Sequence, residues 1–216
     1  MNPLSIAALL ISYLYVVGFL AVMYYSSGRH RDRSTRLWLF ANALTLLTLA
    51  AFSLDEWRFG PWVVVFRNVL MATAAVSVVY VLLSVTPRAP ATWLFATALA
   101  VYVGLIVYDT LIVYNALQRI LTFSNFTVLI SAYCLYELLA AYRQDHNRNY
   151  LLFIGAFVGM IVAYLYRALF VLTASDLDAA AIQQHSFLVS LLVNAAFLLL
   201  WNVVLYVLLS QRGEAV

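Results

Sequence analysis

Few side chains in this sequence could do chemistry, and most of them are arginines. All 12 basic residues are arginine, none is lysine, and they accompany nine acidic residues, three histidines and one cysteine. Seven polar residues cluster towards one end of the long apolar runs: Arg67, Asn68, Asp109, Asn115, Arg119, Asn125 and Arg167. Guanidinium groups that outnumber carboxylates in such a setting suit the recognition of a carboxylate or phosphate. Tyr108, Tyr114, Tyr164, Tyr166 and Phe123 are placed to line the apolar part of the same site. The expected ligand-binding set is therefore Arg67, Arg167, Asp109, Asn68, Asn125, Tyr108 and Tyr164. Two plainer readings compete with it. The arginines can snorkel to headgroups, Arg119 above all because it is nearly interfacial, or one can pair with Asp109 as glue between helices. Asn42, Asn194 and Asn202 read as interhelical hydrogen bonds rather than ligand contacts. Glu137 stands apart from the arginines, towards the other end of its run.

Most catalytic chemistries are excluded. Without lysine there is no Schiff base and no phosphate-binding Gly-x-x-x-x-Gly-Lys loop. His30, His146 and His185 fall in or beside the expected loops, so neither a zinc hydrolase nor a haem between helices can be assembled from them. Cys134 alone supports neither a disulfide framework nor a cysteine-rich metal site. No Gly-x-Ser-x-Gly elbow occurs. No enzymatic activity, metal or cofactor is expected within these residues. The dispersed arginines do not point to nucleic acid.

The elements that must hold these side chains follow from composition. Of 216 residues, 66% are hydrophobic and only 10% charged, with a mean hydropathy of +0.95. A soluble domain carries about 25% charged residues, so a free cytosolic protein is excluded. A spanning helix needs about 20 apolar residues. Seven stretches fit: Leu4–Tyr25, Leu37–Leu54, Trp62–Val85, Thr92–Ile112, Ile120–Tyr142, Tyr150–Thr173 and Ser186–Ser210. None alternates as a barrel strand would. The first lacks a basic flank and exceeds a signal peptide's apolar run, so it reads as a retained helix.

Arg29, Arg31, Arg33, Arg36, Arg88, Arg143, Arg148 and Arg212 fall on one side of this arrangement. Arg58, Arg119, Asp55, Glu56, Asp176 and Asp178 fall on the other. The positive-inside rule then places the N-terminus outside and the C-terminus in the cytoplasm. Trp57, Trp62, Tyr108 and Tyr114 come near the outer boundary, with Tyr24, Tyr25, Tyr142 and Tyr150 near the inner one. The connections are too short to hold a soluble domain. The expected fold class is an all-α membrane protein, a seven-transmembrane-helix bundle over residues 1–210, with 211–216 as a cytoplasmic linker or tail. In it Arg67, Arg167 and Asp109 lie in the outer third of the bilayer. No internal repeat is evident, which weighs against a repeat-built transporter. Gly155, Gly159 and Ala163 form a small-residue ridge, expected to pack inside the bundle, with a dimer seam as the alternative.

The stretch Thr35–Arg88 resembles the N-terminal membrane regions of bacterial GGDEF-type diguanylate cyclases. Leu37-Trp38, Ala41-Asn42, Pro61-Trp62, Asn68 and Tyr80 carry the resemblance, with Arg167 as a later match. It covers about the first 90 residues; beyond them only the layout is similar. The cyclase signature and its metal-binding acidic residues are absent, so cyclase activity would lie in a cytoplasmic domain beyond these residues. The chain is then either an excised sensor portion or a protein of this type standing alone. The resemblance implies a sensor in the bacterial inner membrane, working as a homodimer through a cytoplasmic output domain. Its expected partners are the lipid bilayer and a small anionic or amphipathic ligand arriving from the outer side. A small transporter or permease, or a structural membrane protein without ligand, is the alternative.

Overall fold

The computed structural model describes residues 10, 13–14, 16–20, 33–52, 60–84, 86, 91–174 and 179–213. Among these, 94% are helical and no strand occurs. The helices are α1 (Arg33–Phe52), α2 (Pro61–Ser84), α3 (Thr92–Val107), α4 (Ala116–Asp145), α5 (Asn149–Thr173) and α6 (Ala179–Gly213). A single π-helical turn, Tyr108–Ile112, prolongs α3. Most of the first predicted span, Leu4–Tyr25, lies outside the described residues, as do Arg29, His30, Arg31, Asp55, Glu56, Trp57, Arg58, Arg88, Asp176 and Asp178.

Helices α2, α4 and α5, α3 together with its π-helical turn, and 181–203 of α6 are long and apolar enough to cross a membrane. Their outer faces are apolar as well: Leu129, Leu172 and Leu192 are 70%, 66% and 56% exposed. Water does not tolerate so many exposed leucines, whereas lipid does. The chain is built as a multi-pass membrane protein.

Local chemistry sets the helix ends. Gly60, at φ +74°, supplies the left-handed residue before α2, and Pro61 opens that helix, where a missing N–H costs nothing. Asn115 caps α4 by accepting a hydrogen bond from the Gln118 N–H at 3.1 Å. The α4 helix closes on left-handed His146, whose N–H donates to the Tyr142 carbonyl at 2.8 Å. As a result α4 begins before the predicted Ile120, and Arg119 lies within its first turn. The α6 helix likewise begins before the predicted Ser186. His185 is therefore on a helix, with its ring 4.2 Å from that of Phe170, and not in a loop.

Several buried or half-buried polar side chains are satisfied within their own helix. Thr45, Thr48, Asn68, Ser124 and Thr127 each donate to the carbonyl four residues earlier, at 2.7–2.9 Å. Asn42 does the same towards Trp38, so its hydrogen bond is not the interhelical one expected. Asn194 and Asn202 do bond across helices: Asn194 Nδ2 donates to the Tyr164 hydroxyl and Asn202 Oδ1 accepts from the Trp38 indole.

Consecutive helices pack antiparallel, with α1 on α2 and α5 against both α4 and α6. Aromatic side chains hold the bundle together at the end where α1 begins. Trp38 of α1 packs against Trp201 of α6, and Tyr80 of α2 reaches Phe95 of α3, which meets Tyr133 of α4. The α5 helix buries Phe153, Phe157, Met160 and Tyr164. Gly155 and Gly159 consequently face outwards, and a Cβ at either would meet nothing within 4 Å. The small-residue ridge is not an internal seam.

Candidate functional site

A cavity of about 230 Å³ runs between α1, α2, α4, α5 and α6. Its α2 wall is the stripe Val64, Arg67, Asn68, Met71, Ala75 and Val78, one face of a helix at 3.6 residues per turn. Its α4 wall descends from Ala116 to Ser131, a rise of about 22 Å at 1.5 Å per residue. The mouth lies where α2, α4 and α6 begin, among Arg67, Arg119 and the exposed Gln183.

Three arginines line the cavity, and no aspartate or glutamate stands among the described lining residues. Arg67 and Arg119 are half-buried near the mouth. Arg167 is deeper and only 8% exposed. One of its terminal nitrogens donates to Ser190 Oγ at 3.3 Å, and its guanidinium lies 5.7 Å from the Phe123 ring centre and 5.6 Å from that of Tyr164. Its Nε is buried without a partner. A guanidinium stays charged at any accessible pH. Arg167 thus brings a fixed positive charge to the cavity wall, with one donor unfilled.

Of the residues expected to bind ligand, Arg67, Asn68 and Arg167 line this cavity. Tyr164 stands behind its wall, where its hydroxyl meets Ser190 Oγ at 2.8 Å and accepts from Asn194 at 2.8 Å. Asp109, Asn125 and Tyr108 are not among the lining residues. Asp109 is buried on the π-helical turn and accepts from the Thr122 hydroxyl at 2.7 Å through Oδ2, while its Oδ1 has no partner. It pairs with no described arginine, so the alternative reading, an interhelical pair with Arg67 or Arg167, is not formed. Asn125 and Tyr108 point outwards. The site also includes residues that the sequence reading left out of it: Arg119, Thr45 and Thr48 of α1, and Gln183, Ser190 and Asn194 of α6.

The Tyr164 hydroxyl joins α5 to α6 through two bonds. Tyr164→Phe is expected to lower stability by about 0.6–1.7 kcal/mol, the range for hydrogen bonds between membrane helices. It should also free Ser190 and Asn194 without emptying the cavity. Thermal unfolding of the detergent-solubilised variant checks this; no change in midpoint would mean the bonds contribute nothing.

No protein-family model, curated protein or solved structure matches this chain.

Proposed function

We propose that the chain is a membrane-embedded sensing module that binds a small anionic or amphipathic ligand in the arginine-lined cavity and relays occupancy through α6. One observation carries this reading: a cavity lined by Arg67, Arg119 and Arg167, with no aspartate or glutamate among its described lining residues, whose wall includes α6, the helix that runs on to Gly213. A ligand that prefers one spacing of α6 against α2 and α4 shifts the population of bundle arrangements by its difference in affinity. Arg143 and Arg148 lie at the end opposite the mouth. That placement supports the seven-span reading with the N-terminus outside and the mouth facing out of a bacterial inner membrane. The resemblance of Thr35–Arg88 to cyclase membrane regions supports a cytoplasmic output domain and a homodimer, for which the outward Gly155–Gly159 ridge offers a close-approach surface.

The test is a spin-label distance between Phe40→Cys on α1 and Val203→Cys on α6, in a Cys134→Ser background, with and without decanoate as a probe anion. A ligand-dependent change in distance is expected, and it should vanish in Arg67→Ala and Arg167→Ala proteins that remain folded. An unchanged distance with decanoate bound would remove the relay. Accumulation of decanoate inside proteoliposomes would instead favour a transporter, whose path must open at both ends.

A further inference from the structure

We propose that the π-helical turn at the end of α3 holds a monovalent cation, an alkali-metal ion, bound by the Asp109 carboxylate and the Thr110 hydroxyl. Neither residue lines the arginine cavity, so the site is separate from it and does not depend on the sensing reading. Asp109 is 1% exposed and lies in a segment apolar enough to cross a membrane. Its Oδ2 accepts from the Thr122 hydroxyl, but its Oδ1 has no partner, and no described arginine pairs with it. A carboxylate buried in a span without a countercharge is costly, and carboxylates so placed mark ion sites. A proton on Oδ1 would leave a buried O–H with no acceptor.

Two further features favour positive charge at the same place. Tyr108–Ile112 forms the C-terminal end of the α3 span, where the helix macrodipole is negative, and neither the last turn of α3 nor the π-helical turn carries a basic residue. Beside Asp109, Thr110 is wholly buried and its hydroxyl has no partner. The hydroxyls of Thr45, Thr48, Thr73, Thr127 and Thr173 all donate to the carbonyl four residues earlier. In a turn bonded from i to i+5, as Val113 N–H to the Tyr108 carbonyl is here, that register is lost. The turn thus presents two buried oxygens from adjacent residues, neither of them used by the fold.

The ligand chemistry selects the ion. Carboxylate and hydroxyl oxygens are hard ligands, suited to alkali and alkaline-earth ions rather than to zinc or copper. One carboxylate neutralises one charge, whereas a divalent ion would leave net positive charge buried, at the cost of its desolvation. Carbonyls that end a helix are at hand to complete the shell. Access is short, because Ile112, Val113 and Tyr114, which follow directly, are exposed. An ion enters at the end of the bundle and does not cross it.

The test is thermal unfolding of the full chain in neutral detergent at fixed pH and ionic strength, with sodium chloride replacing choline chloride. Retention of radiolabelled sodium is measured beside it. Sodium should raise the midpoint saturably, by about 5–10 °C at a hundredfold excess over its dissociation constant. Asp109→Asn should abolish both the rise and the retention, and in choline alone should unfold no lower than wild type, since it removes an unpaired charge. Thr110→Val keeps the shape of a side chain whose hydroxyl makes no bond to lose. It should weaken sodium about tenfold, the loss of one oxygen facing a charge, and leave the midpoint in choline unchanged. A midpoint that is the same in choline and sodium would overturn the proposal. An undiminished sodium response in Asp109→Asn or Thr110→Val would remove the ion from this turn. Saturation by calcium at lower concentration than sodium would overturn the charge argument. A wild-type midpoint indifferent to sodium but raised by acid, with no such rise in Asp109→Asn, would make the occupant a proton and overturn the proposal. If Asp109→Asn does not fold, the Thr110→Val and calcium arms still decide.

Discussion

Arg167→Met is expected to make the ligand-free protein more stable and to abolish its affinity for the anion. The two effects have one cause. Arg167 is buried, it donates to a hydroxyl at 3.3 Å, and no described carboxylate pairs with it. Two aromatic faces offset part of the desolvation of its charge, cation–π contacts being worth up to about 2 kcal/mol when shielded from water. The remaining penalty for a buried ion is several kcal/mol. Methionine has a flexible stem that fills irregular gaps, and Ser190 keeps its bond to Tyr164. The expected gain is on the order of 1–4 kcal/mol, read as a raised unfolding midpoint in neutral detergent. Anion affinity should fall about 30-fold or more. A lower midpoint with undiminished binding would show that the guanidinium serves the fold and not the cavity.

Trp38→Ala is expected to be the most destabilising single change. Trp38 is 1% exposed, packs at 5.3 Å on Phe19 and at 6.4 Å on Trp201, and donates to Asn202 Oδ1 at 2.9 Å. Truncation removes a large buried ring, worth about 3–5 kcal/mol. It also strips the hydrogen bond from Asn202, whose Nδ2 is already buried without a partner, adding about 1–3 kcal/mol. Trp38→Phe keeps most of the packing and loses the bond, so it should fall between the two. Denaturant or thermal unfolding of the three proteins gives the order wild type, Phe, Ala. Equal losses for Phe and Ala would place the whole effect in the hydrogen bond.

Run length made much of this architecture legible. The predicted span Thr92–Ile112 coincides with α3 and its π-helical turn, and Tyr150–Thr173 differs from α5 by one residue at its start. The cost of burying charge in lipid singled out Arg67 and Arg167. Facing was harder to read. In water, the polar side of a helix tells which side is buried. Here lipid and core are both apolar, so Asn125 and Asn68 look alike in sequence, although the first points outwards and the second lines the cavity. For the same reason α1 and α6 were not expected to supply walls. Asp109 joined the expected ligand set on its charge, whereas on the π-helical turn it is buried away from the cavity and accepts from the Thr122 hydroxyl.

The distribution of aromatic contacts has a mechanical consequence. Trp38 joins α1 to α6, and the Tyr80–Phe95–Tyr133 chain joins α2 to α4 through α3, all at the end away from the arginines. The arginine end is fastened too: α6 is held to α5 by the Tyr164 hydroxyl and the Phe170–His185 ring contact, and Asp109 of the π-helical turn is tied to Thr122 of α4. The cavity therefore sits between two stitched ends, so any change in the spacing of its walls loads both sets of contacts at once.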